Sequence, residues 1–299
     1  MAQNPSALLR SALGINLVFS AGCGLAATLY SPAVAGVVGA VPPWLIFAIG
    51  FGLLVFAAGI AWTLLRLRIG QALLISALDL LWVAGTLPLT LVPGLFTLEG
   101  LALVLVLALA VGTLGLLQLA GIRAIFRAGA RPGQYRHCIR LRSSADPEKL
   151  WRVIRDLGGI SRYSAGLRAS RLEGGGEVAP GAVRVCTNTR GESWAEEVVS
   201  LDDTARSVVF RFRSEADDFP FPLAALSGGW NVMPGSRVGA LVDVWWIVTP
   251  KQRRFGWLVP ALMTIPLDRD LPRIVGAMEA AAMGRREPEM GRRLALGYC

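Results

Sequence analysis

Four apolar stretches fill most of the first 121 residues, and they constrain the fold of this chain more than any other feature. A helix that crosses the hydrocarbon core of a bilayer needs about 20 mostly apolar residues. The stretches of sufficient length are residues 11–30, 44–65, 71–92 and 100–121. Residues that stop helices separate them, at Ser31-Pro32, Pro42-Pro43 and Pro93-Gly94. We therefore predict a four-helix transmembrane bundle within residues 1–124.

The composition indicates a membrane protein that also carries a water-soluble domain. Of the 299 residues, 54% are hydrophobic and only 17% are charged. The net charge of +9 would suit a nucleic-acid partner, but the basic residues collect beside the apolar stretches. No nucleic-acid module with interleaved aromatic residues is recognisable, so no nucleic-acid partner is expected. The sequence indicates no particular protein partner.

The loop charges predict the orientation of the bundle. Basic residues near the spans fall on one side only: Arg10, Arg66, Arg68, Arg123, Arg127 and Arg131. The opposite loops hold a single charge, Glu99. Because cytoplasmic loops carry the excess of Lys and Arg, we expect a multi-pass protein of a bacterial-type inner membrane with both termini in the cytoplasm. The alternative for the first stretch is a signal peptide with the lipobox-like sequence Ser20-Ala21-Gly22-Cys23.

Cysteine and histidine usage argues against a metal centre. The four cysteines are Cys23, Cys138, Cys186 and Cys299, and no two of them form a C-x-x-C pair. This spacing predicts free thiols in a reducing compartment rather than a disulfide framework or a zinc site. The only histidine is His137, which excludes a histidine cluster. Neither a metal nor a cofactor is expected.

Three polar residues lie within the predicted spans. Counted at about 1.5 Å per residue from the cytoplasmic ends, Asn16, Asp79 and Gln118 fall at similar depth. We predict that their side chains meet inside the bundle. They would serve either as interhelical hydrogen bonds or as a site for a polar ligand or a proton.

The remaining residues have the pattern of an α+β domain. Residues 125–134 form a tether, residues 135–283 a folded domain, and residues 284–299 a loose basic tail. The domain begins with a short strand, and a helix then starts at Asp146-Pro147-Glu148, a strong capping sequence. An antiparallel meander of strands follows. A final helix is expected over residues 271–283.

The order of these elements resembles the polyketide cyclase/dehydrase and lipid transport family of the START-like (SRPBCC) superfamily. The supporting segments are residues 146–151 (DPEKLW), 181–184 (GAVR), 194–198 (WAEEV) and 229–234 (GWNVMP). The resemblance implies a helix-grip fold, in which a curved sheet wraps a long C-terminal helix. It also implies an apolar cavity for a lipid, polyketide or other hydrophobic small molecule. No family resemblance extends to the membrane region.

Aromatic residues of this domain are the candidates for lining such a cavity. They are Trp151, Tyr163, Trp194, Phe210, Phe212, Trp230, Trp245 and Trp257. The alternative for each is ordinary core packing. Residues 255–263 are more apolar than a closing helix requires and contain Pro260. This segment would act as a lid over the cavity or contact the inner leaflet.

Two acidic residues are the only candidates for chemistry. Glu196 shares a strand face with Trp194, and a buried carboxylate there could act as an acid or a base. The alternative is a salt bridge from Glu196 to Arg184. Asp243 is the second candidate.

The favoured function is binding of a hydrophobic ligand at the membrane face. The alternatives are a membrane-tied polyketide cyclase or aromatase and a ligand-sensing or scaffold protein.

Overall fold

The computed structural model describes residues 6–235, 239–252, 254–285 and 296–299. The chain divides into two compact units, Met1–Ile125 and Phe126–Cys299.

The first unit is a bundle of apolar helices. Its helices are α1 (Ala7–Leu29), α2 (Ser31–Val38), α3 (Pro43–Leu65), α4 (Ile69–Leu89) and α5 (Leu98–Arg127). All except α2 are long and apolar enough to cross a membrane. The four long helices correspond to the four predicted spans, and the protein is a membrane protein. The short helix α2 was not predicted, because Pro32 was interpreted as a break, whereas proline at the start of a helix costs no hydrogen bond.

Close packing of α1 against α3 depends on Gly50. A Cβ atom at this position would lie 2.7 Å from both the backbone nitrogen and the hydroxyl of Thr28. Such small residues let membrane helices approach closely. The space at Gly24, opposite Gly50, is almost as tight, because a Cβ atom there would lie 3.0 Å from the carbonyl oxygen of Gly50. Gly52 has open space around it, so it does not share this packing role.

In its described residues, the second unit is an eight-stranded antiparallel sheet with two α-helices. Its strands are β1 (Tyr135–Ser143), β2 (Leu167–Leu172), β3 (Val183–Asn188), β4 (Ser193–Asp202), β5 (Ser207–Phe212), β6 (Leu223–Pro234), β7 (Ala240–Pro250) and β8 (Leu296–Tyr298). The helices are α6 (Pro147–Arg155) and α7 (Leu258–Ala282), and a 3-10 helix spans Leu157–Arg162. The strand order is β2-β3-β4-β5-β6-β7-β1-β8. This is the helix-grip architecture.

One face of the sheet and the two helices share the hydrophobic core. Val242 and Val244 of β7 belong to the same buried cluster as Leu271 and Val275 of α7. The first helix, α6, begins as predicted, because the Asp146 side chain accepts hydrogen bonds from the backbone N–H groups of residues 148 and 149. Its Leu150 is fully buried in that cluster. The core therefore lies between the sheet and both helices.

The last long helix is longer than predicted. We expected the apolar segment 255–263, interrupted by Pro260, to be separate from a helix over 271–283. In the structure α7 is continuous from Leu258 to Ala282. Pro260 lies in the first turn, where a missing N–H costs nothing. Pro266 and Pro272 are interior, and packing of the helix on the sheet offsets the roughly 3 kcal/mol that each costs.

The Glu279 carboxylate fixes the C-terminal end of α7. Glu279 accepts hydrogen bonds from the Ser143 hydroxyl at 2.7 Å and from the Ser144 hydroxyl at 2.8 Å. The Ser144 backbone N–H is a third donor, at 3.0 Å. Glu279 is buried, and three donors offset much of the cost of burying a charge. The helix is thereby tied to the loop after β1.

The C-terminal residues correct two predictions. Cys138 and Cys299 form a disulfide, with Cα atoms 5.2 Å apart and a sequence separation of 161. The prediction of four free thiols was wrong for this pair. The tail was expected to be loose, yet Leu296–Tyr298 pair with β1 as an edge strand. Of the basic tail residues, 286, 292 and 293 lie outside the described part of the chain.

Candidate functional site

An apolar cavity lies between the sheet and α7. Its volume is about 320 Å³. Met263, Leu267 and Ile274 of α7 form one wall. The strands β3 to β7 form the opposite wall, mostly with aromatic side chains. Ligand pockets in proteins are concave, mostly apolar and contain a few placed polar groups, and this cavity has that character.

The polar part of the cavity is a buried ion pair. Arg184 of β3 and Glu196 of β4 are directly opposite each other in the sheet. The guanidinium Nη2 donates to Glu196 Oε2, and each side chain is only 5% exposed. The Trp194 indole N–H donates to the other carboxylate oxygen, Oε1, at 2.7 Å. Both oxygens of Glu196 are therefore engaged by donors.

Arg184 is held by two further neighbours. Its Nη1 donates to the Leu157 carbonyl oxygen at 3.3 Å. The guanidinium carbon lies 4.6 Å from the centroid of the Phe210 ring, within the range of a cation–π interaction. Its buried Nε, however, has no hydrogen-bond partner among the residues the structure describes. The cavity thus contains one cationic group with an unused donor.

Cys186 lines the same cavity and is not activated. Burial raises the pKa of its thiol to about 12, and the neighbouring Glu196 carboxylate raises it as well. Only a thiolate is a strong nucleophile. Cys186 is therefore a neutral thiol at physiological pH and contributes packing rather than nucleophilic chemistry.

The structure brings five of the eight predicted aromatic residues to this cavity. These five are Trp194, Phe210, Phe212, Trp230 and Trp245. Trp151 is buried in the core instead, and its indole N–H donates to Asp203 at 2.9 Å. Tyr163 packs against the same core cluster. Trp257 immediately precedes α7 and does not line the cavity.

The two candidate acids are placed differently. Glu196 lines the cavity as described above. Asp243 does not; its carboxylate accepts two hydrogen bonds from Arg140 of the neighbouring strand, at 2.6 and 2.5 Å. Any acid–base chemistry in the cavity would therefore depend on Glu196, whose oxygens already accept from Arg184 and Trp194. The Arg184–Glu196 salt bridge that the sequence left as an alternative is present.

Several cavity residues escaped the sequence prediction. Phe221, Trp246, Met263 and Leu267 line the cavity. The two residues on α7 were missed because that helix was expected to begin at residue 271. A signal for Trp246 was available: Gly228 and Gly229 of β6 stand opposite Trp246 and Trp245. A pair of glycines facing a pair of tryptophans indicates that bulky rings take the space that side chains would otherwise fill.

In the first unit, the three predicted polar residues meet. Asn16 Nδ2 and Gln118 Nε2 both donate to Asp79 Oδ2, at 2.7 and 3.0 Å. All three residues are buried.

The fold is that of a helix-grip domain, and it encloses an apolar cavity. Residues 140–282 match the family described as "Polyketide cyclase / dehydrase and lipid transport". This part of the chain is a START-like (SRPBCC) domain of that family, as the sequence resemblance implied. A comparison with curated proteins finds no match to the chain.

Solved structures with similarity to this chain match about half of it. The protein XoxI from Bacillus cereus is 19% identical, with a TM-score of 0.38, over 50% of this chain and 95% of its own. Ara h 8.0201 is 14% identical, with a TM-score of 0.42, over 51% and 99%. A point mutant of norcoclaurine synthase from Thalictrum flavum, in complex with a transition-state analogue, is 16% identical, with a TM-score of 0.41, over 50% and 95%.

Proposed function

We propose that this protein binds a lipid or another hydrophobic small molecule in the cavity of its START-like domain, and that its helical bundle anchors this domain to a membrane. The observation that carries the proposal is the 320 Å³ apolar cavity beneath α7. That volume is at the lower end of the range for small-molecule sites. The description of the matching family, which includes lipid transport, supports the same ligand class.

The polar groups of the cavity restrict the ligand further. Nε of Arg184 is a donor without a partner in the described part of the chain. A buried polar group without a partner costs free energy, so a ligand that supplies an acceptor gains affinity. We therefore expect a ligand with an apolar body and one oxygen acceptor, such as a carbonyl or hydroxyl oxygen, near Arg184. The aromatic walls suit rings or unsaturated chains.

Filling the cavity should remove the ligand. Leu267 lines the cavity on α7, and Leu267→Trp would occupy much of its volume. We expect an organic extract of the purified full-length protein to contain one hydrophobic molecule per chain that is missing from the Leu267→Trp extract. Mass spectrometry of both extracts is the measurement.

A matched control is available on the same helix. Leu262 is 58% exposed and does not line the cavity. Leu262→Trp should therefore retain the molecule at the wild-type level. Identical extracts from all three proteins would contradict binding in this cavity, because lipids held by the membrane helices are common to all of them.

We further propose that the START-like domain lies on the cytoplasmic side of an inner membrane of bacterial type. The basic residues beside the spans, Arg10, Arg66, Arg68 and Arg123, support this orientation. The Cys138–Cys299 disulfide argues for the opposite orientation, because disulfides persist mainly in oxidising compartments.

Reporter fusions distinguish the two orientations. We expect a fluorescent protein fused after Cys299 to be bright in bacterial cells, and alkaline phosphatase at the same position to be inactive. Replacing positive charges by negative ones should change the result. The double substitution Arg66→Glu with Arg68→Glu is expected to give a mixture of the two orientations. An active phosphatase in the wild-type fusion would refute cytoplasmic placement and would explain the disulfide.

A further inference from the structure

A second cavity lies inside the membrane unit, separate from the site described above. Its volume is about 220 Å³, and each of the four long helices contributes to its wall. The lining residues are Phe19, Ser20, Cys23, Leu53, Phe56, Leu78, Asp79, Trp82, Leu107 and Val111. Three aromatic rings and several aliphatic chains surround a single carboxylate. The function proposed above does not use this cavity.

Two amide groups donate hydrogen bonds to the same carboxylate oxygen of Asp79. Its Oδ2 accepts both amide donors, from Asn16 at 2.7 Å and from Gln118 at 3.0 Å. The two amides are themselves oriented, because Ser20 donates to Asn16 Oδ1 and Ser76 donates to Gln118 Oε1, each at 3.0 Å. This network joins α1, α4 and α5. It explains how the amides are positioned and how one carboxylate oxygen is satisfied.

The other carboxylate oxygen of Asp79, Oδ1, takes no part in that network. No donor in the described part of the chain bonds to Oδ1, although Asp79 is only 4% exposed. The residue also lines the cavity. In a membrane there is no bulk water to supply the missing hydrogen bond. An interhelical contact alone would require neither the free oxygen nor the space beside it.

We propose that this cavity binds a small lipophilic molecule that carries one hydrogen-bond donor, a hydroxyl or an ammonium group, directed at Asp79 Oδ1. A dry apolar cavity of about 150 Å³ accommodates benzene, so 220 Å³ accommodates a fused two-ring compound. The rings of Phe19, Phe56 and Trp82 suit a flat apolar body. Among intramembrane carboxylates, a functional site is the usual interpretation.

Three naphthalene compounds of similar size test the role of the donor. They are 1-naphthylmethanol, 1-naphthylmethylamine and 1-methylnaphthalene, of which the last has no donor. The full-length protein in nanodiscs of phosphatidylcholine is dialysed against each compound, and empty nanodiscs give the background from partitioning. We expect saturable binding of the alcohol and the amine roughly tenfold tighter than that of the hydrocarbon, the range of a hydrogen bond to a charged acceptor.

Two variants and a control assign this binding to the cavity. Asp79→Asn places an amide N–H₂ where the free acceptor was, so the preference for donor compounds should disappear. Val111→Phe fills the cavity from α5 and should weaken binding of the alcohol and the amine at least tenfold, which tests the site even if Asp79→Asn does not fold. Leu109→Phe, on the same helix at a position 73% exposed, should bind like the wild type.

The opposite results overturn the proposal. Equal affinity for all three compounds would show that the carboxylate contributes nothing and that the space is a non-selective apolar void. Binding no greater than that of empty nanodiscs would show that lipid chains already fill the cavity. Neither outcome bears on the Leu267→Trp experiment, which concerns the other unit.

Discussion

Replacing Glu196 by alanine is expected to destabilise the START-like domain by about 3–5 kcal/mol, the usual cost of leaving one partner of a buried ion pair unpaired. Arg184 and Glu196 are each 5% exposed. Without the carboxylate, the contacts left to the guanidinium among the described residues would be the Leu157 carbonyl oxygen and the face of the Phe210 ring. The indole N–H of Trp194 would lose its acceptor at the same time.

A thiol probe measures this change in the full-length protein. Cys186 is buried, so a thiol reagent modifies it only when the domain opens. In a Cys23→Ser background the other two cysteines are joined to each other, and Cys186 is then the only free thiol. The expected result is a fall in the midpoint of urea-dependent labelling for Glu196→Ala. A second variant, Arg184→Met with Glu196→Met, should recover much of the loss, because an apolar pair leaves no unpaired charge.

The neighbouring residue Glu197 supplies the matched control. It lies on the same strand and pairs with Arg211 of β5, but both of these side chains are on the surface. Solvent screens surface pairs strongly, so Glu197→Ala should leave the labelling midpoint close to that of the wild type. Equal effects of the Glu196 and Glu197 substitutions would contradict the buried ion pair as the source of stability.

Lowering the pH from 7 to 5 is expected to destabilise the same domain by about 2 kcal/mol through His137 alone. Burial is the main cause, and the nearby charge of Arg136 the second, of a fall in the pKa of His137 to about 3. In the unfolded chain the pKa of histidine is about 6.5. The unfolded state therefore binds more protons between these values, and stability is complete above pH 6.5 and decreases as the pH falls towards 3.

The surroundings of His137 account for this shift. Its ring lies among Phe126, Trp246 and Tyr298, with centroids 5.1, 5.6 and 5.2 Å away. Neither ring nitrogen has a hydrogen-bond partner in the described part of the chain. A protonated ring would be charged and unpaired in an apolar environment, which is strongly unfavourable.

The variant His137→Phe isolates this contribution. The chain contains no other histidine, so few groups of ordinary pKa titrate between pH 5 and 7. Labelling of Cys186 at both pH values should show a difference that is about 2 kcal/mol smaller in His137→Phe than in the wild type. The same dependence on pH in both proteins would mean that His137 is protonated in the folded state as readily as in the unfolded chain.

Local patterns predicted the parts of the structure that depend on nearby residues. The four spans follow from apolar stretches of sufficient length, and they agree with the long helices α1, α3, α4 and α5. The start of α6 follows from Asp146 and Pro147, which act within one turn. The depth of Asn16, Asp79 and Gln118 could be counted along regular helices, and the three residues meet.

Other elements were missed because distant residues determine them. Strand β6 extends from Leu223 to Pro234 and contains Gly228 and Gly229, although glycine weakens a strand. Its Gly229 is required because a Cβ atom there would lie 2.6 Å from the Val208 carbonyl oxygen. The continuity of α7 through Pro266 and Pro272 likewise depends on its contact with the sheet.

By itself, the sequence determined that this protein has a bundle of membrane helices, because helix length and apolar pattern are local properties. The helix-grip fold of the domain that follows was implied by the family resemblance. Only the tertiary structure decided which aromatic residues line a cavity and which fill the core. It also joined Cys138 to Cys299 and left one oxygen of Asp79 beside an empty volume. These features depend on the positions of atoms that are far apart in the chain, and spacing in the sequence does not specify such positions.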